Sequence, residues 1–195
     1  MTAAPPRRNF RTDIHGLRGL AVMLVVVYHV FVGRVSGGVD VFLFISAYFL
    51  TATFMKRLER AEPIAPVAYW GRTFKRLLPP TVVVTLATVA ASLWLLPDSE
   101  RESTLADAFY TLIQGQNWWL VSQAADYYAA DRTVASPFQH FWSLSIQGQV
   151  FLVWPLLFAL IDLTVGAVKG EARARRARAV STAVIGGITL LSFAW

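Results

Sequence analysis

The sequence predicts an all-α, polytopic transmembrane helical bundle of about five spans, and three observations carry that expectation. Of the 195 residues, 55% are hydrophobic and only 15% charged, against roughly 25% charged in soluble domains. The apolar residues gather into runs of about 17–25, the length that crosses a bilayer core of about 30 Å. The basic residues sit beside those runs: four from Arg7 to Arg18, six from Lys56 to Arg76 and five from Lys169 to Arg178, together fifteen of eighteen. Flanking placement of this kind marks the cytoplasmic ends of membrane helices. The net charge of +6 therefore argues for membrane topology and against a nucleic-acid partner, which would need basic residues interleaved with exposed aromatics. There is no cysteine, hence no disulfide framework, thiolate metal site or thiol nucleophile, and no metal is expected.

The polar, basic stretch of residues 1–16 reads as a cytoplasmic N-terminus, and the apolar run after it lacks a small-x-small cleavage signal, so residues 17–33 read as an uncleaved first span. The Gly-rich turn GRVSGG leads into a second, antiparallel span over 39–55. The charges and prolines of KRLERAEPIAPVAYWGRTFKRLLPP predict a loop with an interfacial helix from about Tyr69, ahead of a third span over 78–96. Between Pro97 and His140 six carboxylates stand against two arginines, which reads as an external loop. Within it ADAFYTLIQGQNWWLV is apolar, but Gln114, Gln116 and Asn117 interrupt it, so an interfacial or re-entrant segment is expected rather than a crossing. A fourth span over 141–165 then returns to the inside and places Lys169 to Arg178 in the cytoplasm. A fifth over 179–195 stops at Trp195 without a tail, which reads as a partial chain.

The first span, GLRGLAVMLVVVYHV, carries Arg18 and His29. Eleven residues at about 100° each bring the two to within about 20° of one helix face, about 16 Å apart along the axis. Ionisable groups inside spans usually face a bundle interior or a wet cavity. Two readings stand side by side. In one, Arg18 anchors the helix end and His29 makes a single interhelical hydrogen bond. In the other, His29 is a general acid–base group, because imidazole titrates near neutral pH, and Asp40 at the start of the next span is its carboxylate partner. Asp40 serves equally well as a helix cap.

Four blocks, RTDIHGLRGLAVMLVVVYHV, GGVDVFLFISAYFLT, KRLLPP and HFWSLSIQGQVFLVWP, occur in that order from Arg11 to Pro155. Together they resemble the membrane acyltransferase-3 family, relatives of peptidoglycan and lipopolysaccharide O-acetyltransferases. The resemblance implies that His29, eleven positions after Arg18, is essential to acyl transfer, and that Gly38 to Phe42, with Asp40, is the family's second block. It implies acyl-CoA binding by Arg72 and Arg76, with Thr73 where a second arginine often stands and Lys75 adding charge. Coenzyme A phosphates do require fixed cations, and arginine offers bidentate donors, although the same cluster also serves as a plain topology signal. The family's later block commonly reads Trp-Ser-Leu-Ser-Val-Glu-Glu-Gln-Phe; here Trp142 and Ser143 are kept, and Gln147 and Gly148 replace the two glutamates. Gln147 can hydrogen-bond but cannot carry a proton, so a substrate-positioning role is expected for it. His15 and His140 read as interfacial and loop residues.

The function so implied is O-acylation, most simply O-acetylation, of a cell-envelope carbohydrate or glycolipid by a multi-pass protein of the bacterial inner membrane, with acyl-CoA as co-substrate. The expected partners are membrane lipids, the glycan or glycolipid acceptor and an SGNH-type domain or partner protein. Relatives usually have about twice as many spans, so the rival expectation is a truncated, non-catalytic membrane protein or a partner-dependent subunit.

Overall fold

The computed structural model describes residues 12–32, 37–127 and 136–194. The described residues form helices and turns without a strand: α1 (Thr12–Val27), continued by a π-helical turn (Tyr28–Val32), α2 (Gly38–Glu59), α3 (Pro66–Leu95), α4 (Arg101–Leu112), α5 (Gln116–Tyr127), α6 (Trp142–Val165) and α7 (Gly170–Ala194). Among them α2, α3, α6 with the short turn before it, and α7 are long and apolar enough to cross a membrane. Their outer faces leave Trp94 86%, Leu163 77% and Phe193 84% exposed, surfaces that water would penalise and lipid would not. The chain is a multi-pass membrane protein.

Two compact units divide the chain, residues 1–49 and residues 50–195. In the first, α1 and the start of α2 are tied by Arg18 over the ring of Phe42 at 5.4 Å and by the rings of His15 and Phe49 at 6.4 Å. In the second, Leu50, Phe54 and Leu58 of α2 pack with Phe158, Ile161 and Val165 of α6 and Ala177 of α7. Phe54 stacks on Phe158 at 5.6 Å and meets Tyr69 of α3 edge-on at 5.3 Å. Trp154 donates its indole N–H to the Thr51 hydroxyl at 2.8 Å, so the polar edge of a large ring is satisfied within the apolar layer.

The third helix begins twelve residues before the expected span, and no break separates an interfacial part from a crossing part. Pro66 lies in its first turn, where a missing N–H costs nothing. Pro79 and Pro80 lie inside it, and each deprives the carbonyl four residues earlier, those of Lys75 and Arg76, of its helical donor. The Thr81 hydroxyl donates to the next carbonyl along, that of Leu77, at 2.9 Å. The Pro97–His140 stretch is largely helical, as the α4–α5 hairpin. Asp126 lies in α5 without a described side chain, and Asp131 and Arg132 lie outside the described residues.

The basic run Lys169–Arg178 contains one residue that does more than mark topology. Arg173 is 6% exposed, and its guanidinium donates to the carbonyls of Leu58 at 2.8 Å, Gly166 at 2.8 Å and Val168 at 3.5 Å, and to the Asp162 carboxylate. These carbonyls belong to the last turn of α2 and the exit from α6, where a helix end runs short of donors; the Leu58 carbonyl otherwise has only the Ala61 N–H of the following turn at 3.3 Å. One side chain thus fastens the ends of α2 and α6 to the start of α7. Arg173→Leu is expected to destabilise the chain by about 1–3 kcal/mol, because it leaves the half-buried Asp162 carboxylate and the carbonyls of Leu58 and Gly166 without the guanidinium, and Arg173→Leu with Asp162→Leu by less. Unfolding midpoints in detergent that rank the double variant below the single one would overturn this assignment.

Candidate functional site

Three groups of residues come from the sequence motifs. The first runs from α1 through the π-helical turn after it to the start of α2. His29 falls in the π-helical turn Tyr28–Val32, where the backbone leaves the regular α-helical register that relates it to Arg18. Such turns concentrate at functional sites. The His29 side chain lies outside the described atoms, so its expected pairing with Asp40 is carried forward as a proposal. Asp40 is exposed and sits in the first turn of α2, where a carboxylate complements the helix dipole. Arg18 is half-buried, with its cation over Phe42, an arrangement that holds a guanidinium without neutralising it.

The second group is Arg72, Lys75 and Arg76 in the first three turns of α3. Spacings of three and four residues put them on one helix face. All three are exposed, and among the described residues none forms an ion pair. The backbone carbonyls of Lys75 and Arg76 are the two that Pro79 and Pro80 leave without helical donors. The three unneutralised cations can hold phosphate groups.

The third group is the block that opens α6. A 3-10 turn (Gln139–Phe141) leads into Trp142, the first α-helical residue, and Ser143 bonds back to the His140 carbonyl at 3.4 Å. The helical period divides the block into two faces. Ser145, Gly148 and Gln149 lie on one and pack against the α4–α5 hairpin. Ser143 and Gln147, four apart, lie together on the opposite side. The Gln116 backbone N–H donates to the Ser145 hydroxyl at 3.2 Å. The Gln149 amide donates to the Gln114 carbonyl and to Asn117 Oδ1, both at 2.8 Å. Gly148 has no side chain because Gln114 occupies the space: a Cβ there would stand 2.2 Å from Gln114 Oε1. Gln114 is itself left-handed, with φ of 60°, a conformation uncommon for a residue with a side chain and held in place by these contacts.

Sequence reasoning placed Asp107 among the acids of an external loop; the structure buries it at 5% exposure. Its carboxylate accepts from the Trp119 indole at 2.7 Å, from the Gln116 amide at 3.2 Å and from the Ser136 hydroxyl. Ser136 Oγ in turn accepts from the Phe138 N–H at 3.1 Å, which fixes the approach of the chain to α6. Tyr110 stacks on Trp119 at 4.5 Å and closes the hairpin around the carboxylate. The visible signal was the set of amides breaking an apolar run; its partner Asp107 carried no local mark. Among the described residues no group of three or more His, Asp or Glu is placed to hold a metal ion.

Asp107→Ala strands three donors in a buried site. It is expected to cost on the order of 3 kcal/mol, read as a lowered unfolding midpoint followed by tryptophan fluorescence. Gly148→Ala forces Gln114 out of its place and is expected to cost about 1–3 kcal/mol, whereas Gln114→Ala combined with Gly148→Ala recovers part of the loss. Midpoints that add independently would contradict the contact.

Residues 11–195 match the acyltransferase-3 family, described as an acyltransferase domain. The chain is 30% identical over 159 residues to the O-acetyltransferase OatA of Staphylococcus aureus (78% of this chain, 25% of the relative). It is 32% identical over 162 residues to the peptidoglycan O-acetyltransferase OatA of Listeria monocytogenes (80% and 25%). To BcsY of Komagataeibacter xylinus, named as a membrane-bound transacylase, it is 35% identical over 160 residues (80% and 39%). The matched region covers a quarter to about two-fifths of the length of these relatives. No solved structure matches the chain. The ordered blocks on α1, α2, α3 and α6, together with a match that takes in nearly every residue, make the chain a member of the acyltransferase-3 family.

Proposed function

We propose that the chain serves in transfer of an acyl group, most simply acetyl, from acyl-CoA to a hydroxyl of a cell-envelope carbohydrate or glycolipid. The relatives named for O-acetylation, one of them of peptidoglycan, support the reaction class and the kind of acceptor. The observation that carries the reading is the placing of His29 in a π-helical turn eleven residues beyond Arg18, within a matched acyltransferase domain.

In this reading the protein lies in the bacterial inner membrane with its N-terminus in the cytoplasm, the side that the basic helix ends favour. Arg72, Lys75 and Arg76 grip the phosphates of acyl-CoA arriving from the cytosol, and their lack of carboxylate partners leaves their charge available. Arg18 orients the thioester end at the membrane entrance. His29 either removes the proton of the acceptor hydroxyl or takes the acyl group first. In the direct route the hydroxyl oxygen forms the new ester bond, the carbon–sulfur bond breaks, and coenzyme A leaves as the thiol with a proton returned from imidazole. Asp40 holds the tautomer of His29. Trp142, Ser143 and Gln147 border the acceptor, with Ser143 and Gln147 as the hydrogen-bonding pair on their shared face. The remaining chemistry on the acceptor belongs to an SGNH-type domain or partner.

Expressed in a host without its own envelope O-acetyltransferase, the chain is expected to add alkali-labile acetate to envelope glycans or lipids, detected by mass spectrometry. His29→Ala is expected to remove it; a variant that still transfers at the parental rate sinks the mechanism. Arg72→Ala and Arg76→Ala are each expected to raise KM for acyl-CoA about tenfold or more, the worth of a charge-assisted hydrogen bond, with kcat changed less. An unchanged KM would return the cluster to a topological role.

A further inference from the structure

A cavity of about 500 Å³ opens between α2 and α7, walled by Thr51 and Met55 on one side and by α7 from Arg178 to Leu190 on the other. Its volume falls in the roughly 300–1,000 Å³ range of small-ligand sites. Along α7 its lining runs from Arg178 through the hydroxyls of Ser181 and Thr182 to Ile185, Gly186, Thr189 and Leu190; the Thr189 hydroxyl is turned back onto the Ile185 carbonyl at 2.9 Å, so the far part of the groove offers no free hydroxyl. Ser181 is 3% exposed, and among the described residues its hydroxyl has no hydrogen-bond partner. Arg178 is 67% exposed and uses Nε for Glu59 at 2.6 Å; among the described residues its two Nη groups carry no further bond. Lys56, Arg57, Arg60, Arg175 and Arg176 crowd the same helix ends in the sequence.

We infer that this groove binds one anionic phospholipid from the leaflet bordering the basic helix ends. The phosphate meets Arg178, the glycerol esters meet Ser181 and Thr182, and one acyl chain lies along Gly186 to Leu190. The order of charged, hydroxylic and apolar residues repeats the order of phosphate, ester and hydrocarbon in the lipid. The length selects the occupant: twelve residues of helix rise about 18 Å, close to the roughly 15 Å of a single leaflet's hydrocarbon. Basic pockets between helices at a membrane face are the usual seats of anionic lipid headgroups. Gly186 lines the groove and a Cβ there would meet nothing within 4 Å, so a larger side chain at this position has room to start into the cavity.

The test reconstitutes the whole chain in nanodiscs of phosphatidylglycerol and phosphatidylcholine in equal parts and counts, by native mass spectrometry, the lipids retained on release. The parental chain is expected to retain phosphatidylglycerol in preference to phosphatidylcholine. Arg178→Gln is expected to lower that preference about fivefold, the worth of one basic residue facing anionic lipid, and Arg101→Gln, a charge lost outside the groove, to leave it unchanged. Gly186→Leu is expected to abolish retention of the tightly held lipid while its circular dichroism spectrum stays parental. Equal retention of the two lipids, or undiminished phosphatidylglycerol on Gly186→Leu, overturns the assignment. So does a dimer mass that Gly186→Leu removes, which would give the groove to a second copy.

Discussion

The guanidinium of Arg173 is the point on which the bundle of residues 50–195 turns. A membrane helix satisfies its interior backbone by itself, but its last carbonyls have no partners and hydrocarbon supplies none. Arg173 meets that demand for two helices at once, through Leu58 and Gly166, while its charge is met by Asp162. Three helices are therefore fixed at one level by a planar, five-donor group that lysine could not replace. Phe54 and Phe158 stack one turn further into their helices from Leu58 and Asp162. Packing supplies attraction there, and the arginine supplies the register.

A second polar centre stands at the other end of α6. Ser145 and Asp162 are seventeen residues apart, about 26 Å along the helix, so the two centres fall near the two edges of a hydrocarbon layer of about 30 Å. One ties α6 to α2 and α7; the other, around Asp107, Gln116 and Trp119, ties it to the α4–α5 hairpin. Between them the helix interior is apolar, except where Trp154 meets Thr51. Polar groups placed only where water or headgroups begin provide geometric specificity without placing uncompensated charge in lipid.

The helical class and the membrane habit were legible because length, apolar runs and basic flanks act through composition alone. The motif residues were legible because they sit in ordered blocks. Arg173 was not, since a buried arginine within a run of five basic residues has the same local sequence as an exposed one. Its burial is decided by a carbonyl 115 residues away. Asp107 escaped for the same reason: its donors come from α5 and from Ser136, 29 residues on. The early start of α3 escaped because Pro63, Pro66, Pro79 and Pro80 read as breakers. One stands at a helix entry that favours proline, and two lie in a segment where a neighbouring hydroxyl bonds the backbone one turn on.

The seat of Gln114 in the space beside Gly148 makes the two positions one steric unit. Where the resemblance puts a pair of glutamates, this chain has Gln147 and Gly148, and the volume that a side chain at 148 would need is filled from the α4–α5 hairpin. A longer side chain at 148 calls for a rearranged Gln114, so the identity of either residue constrains what the other can be.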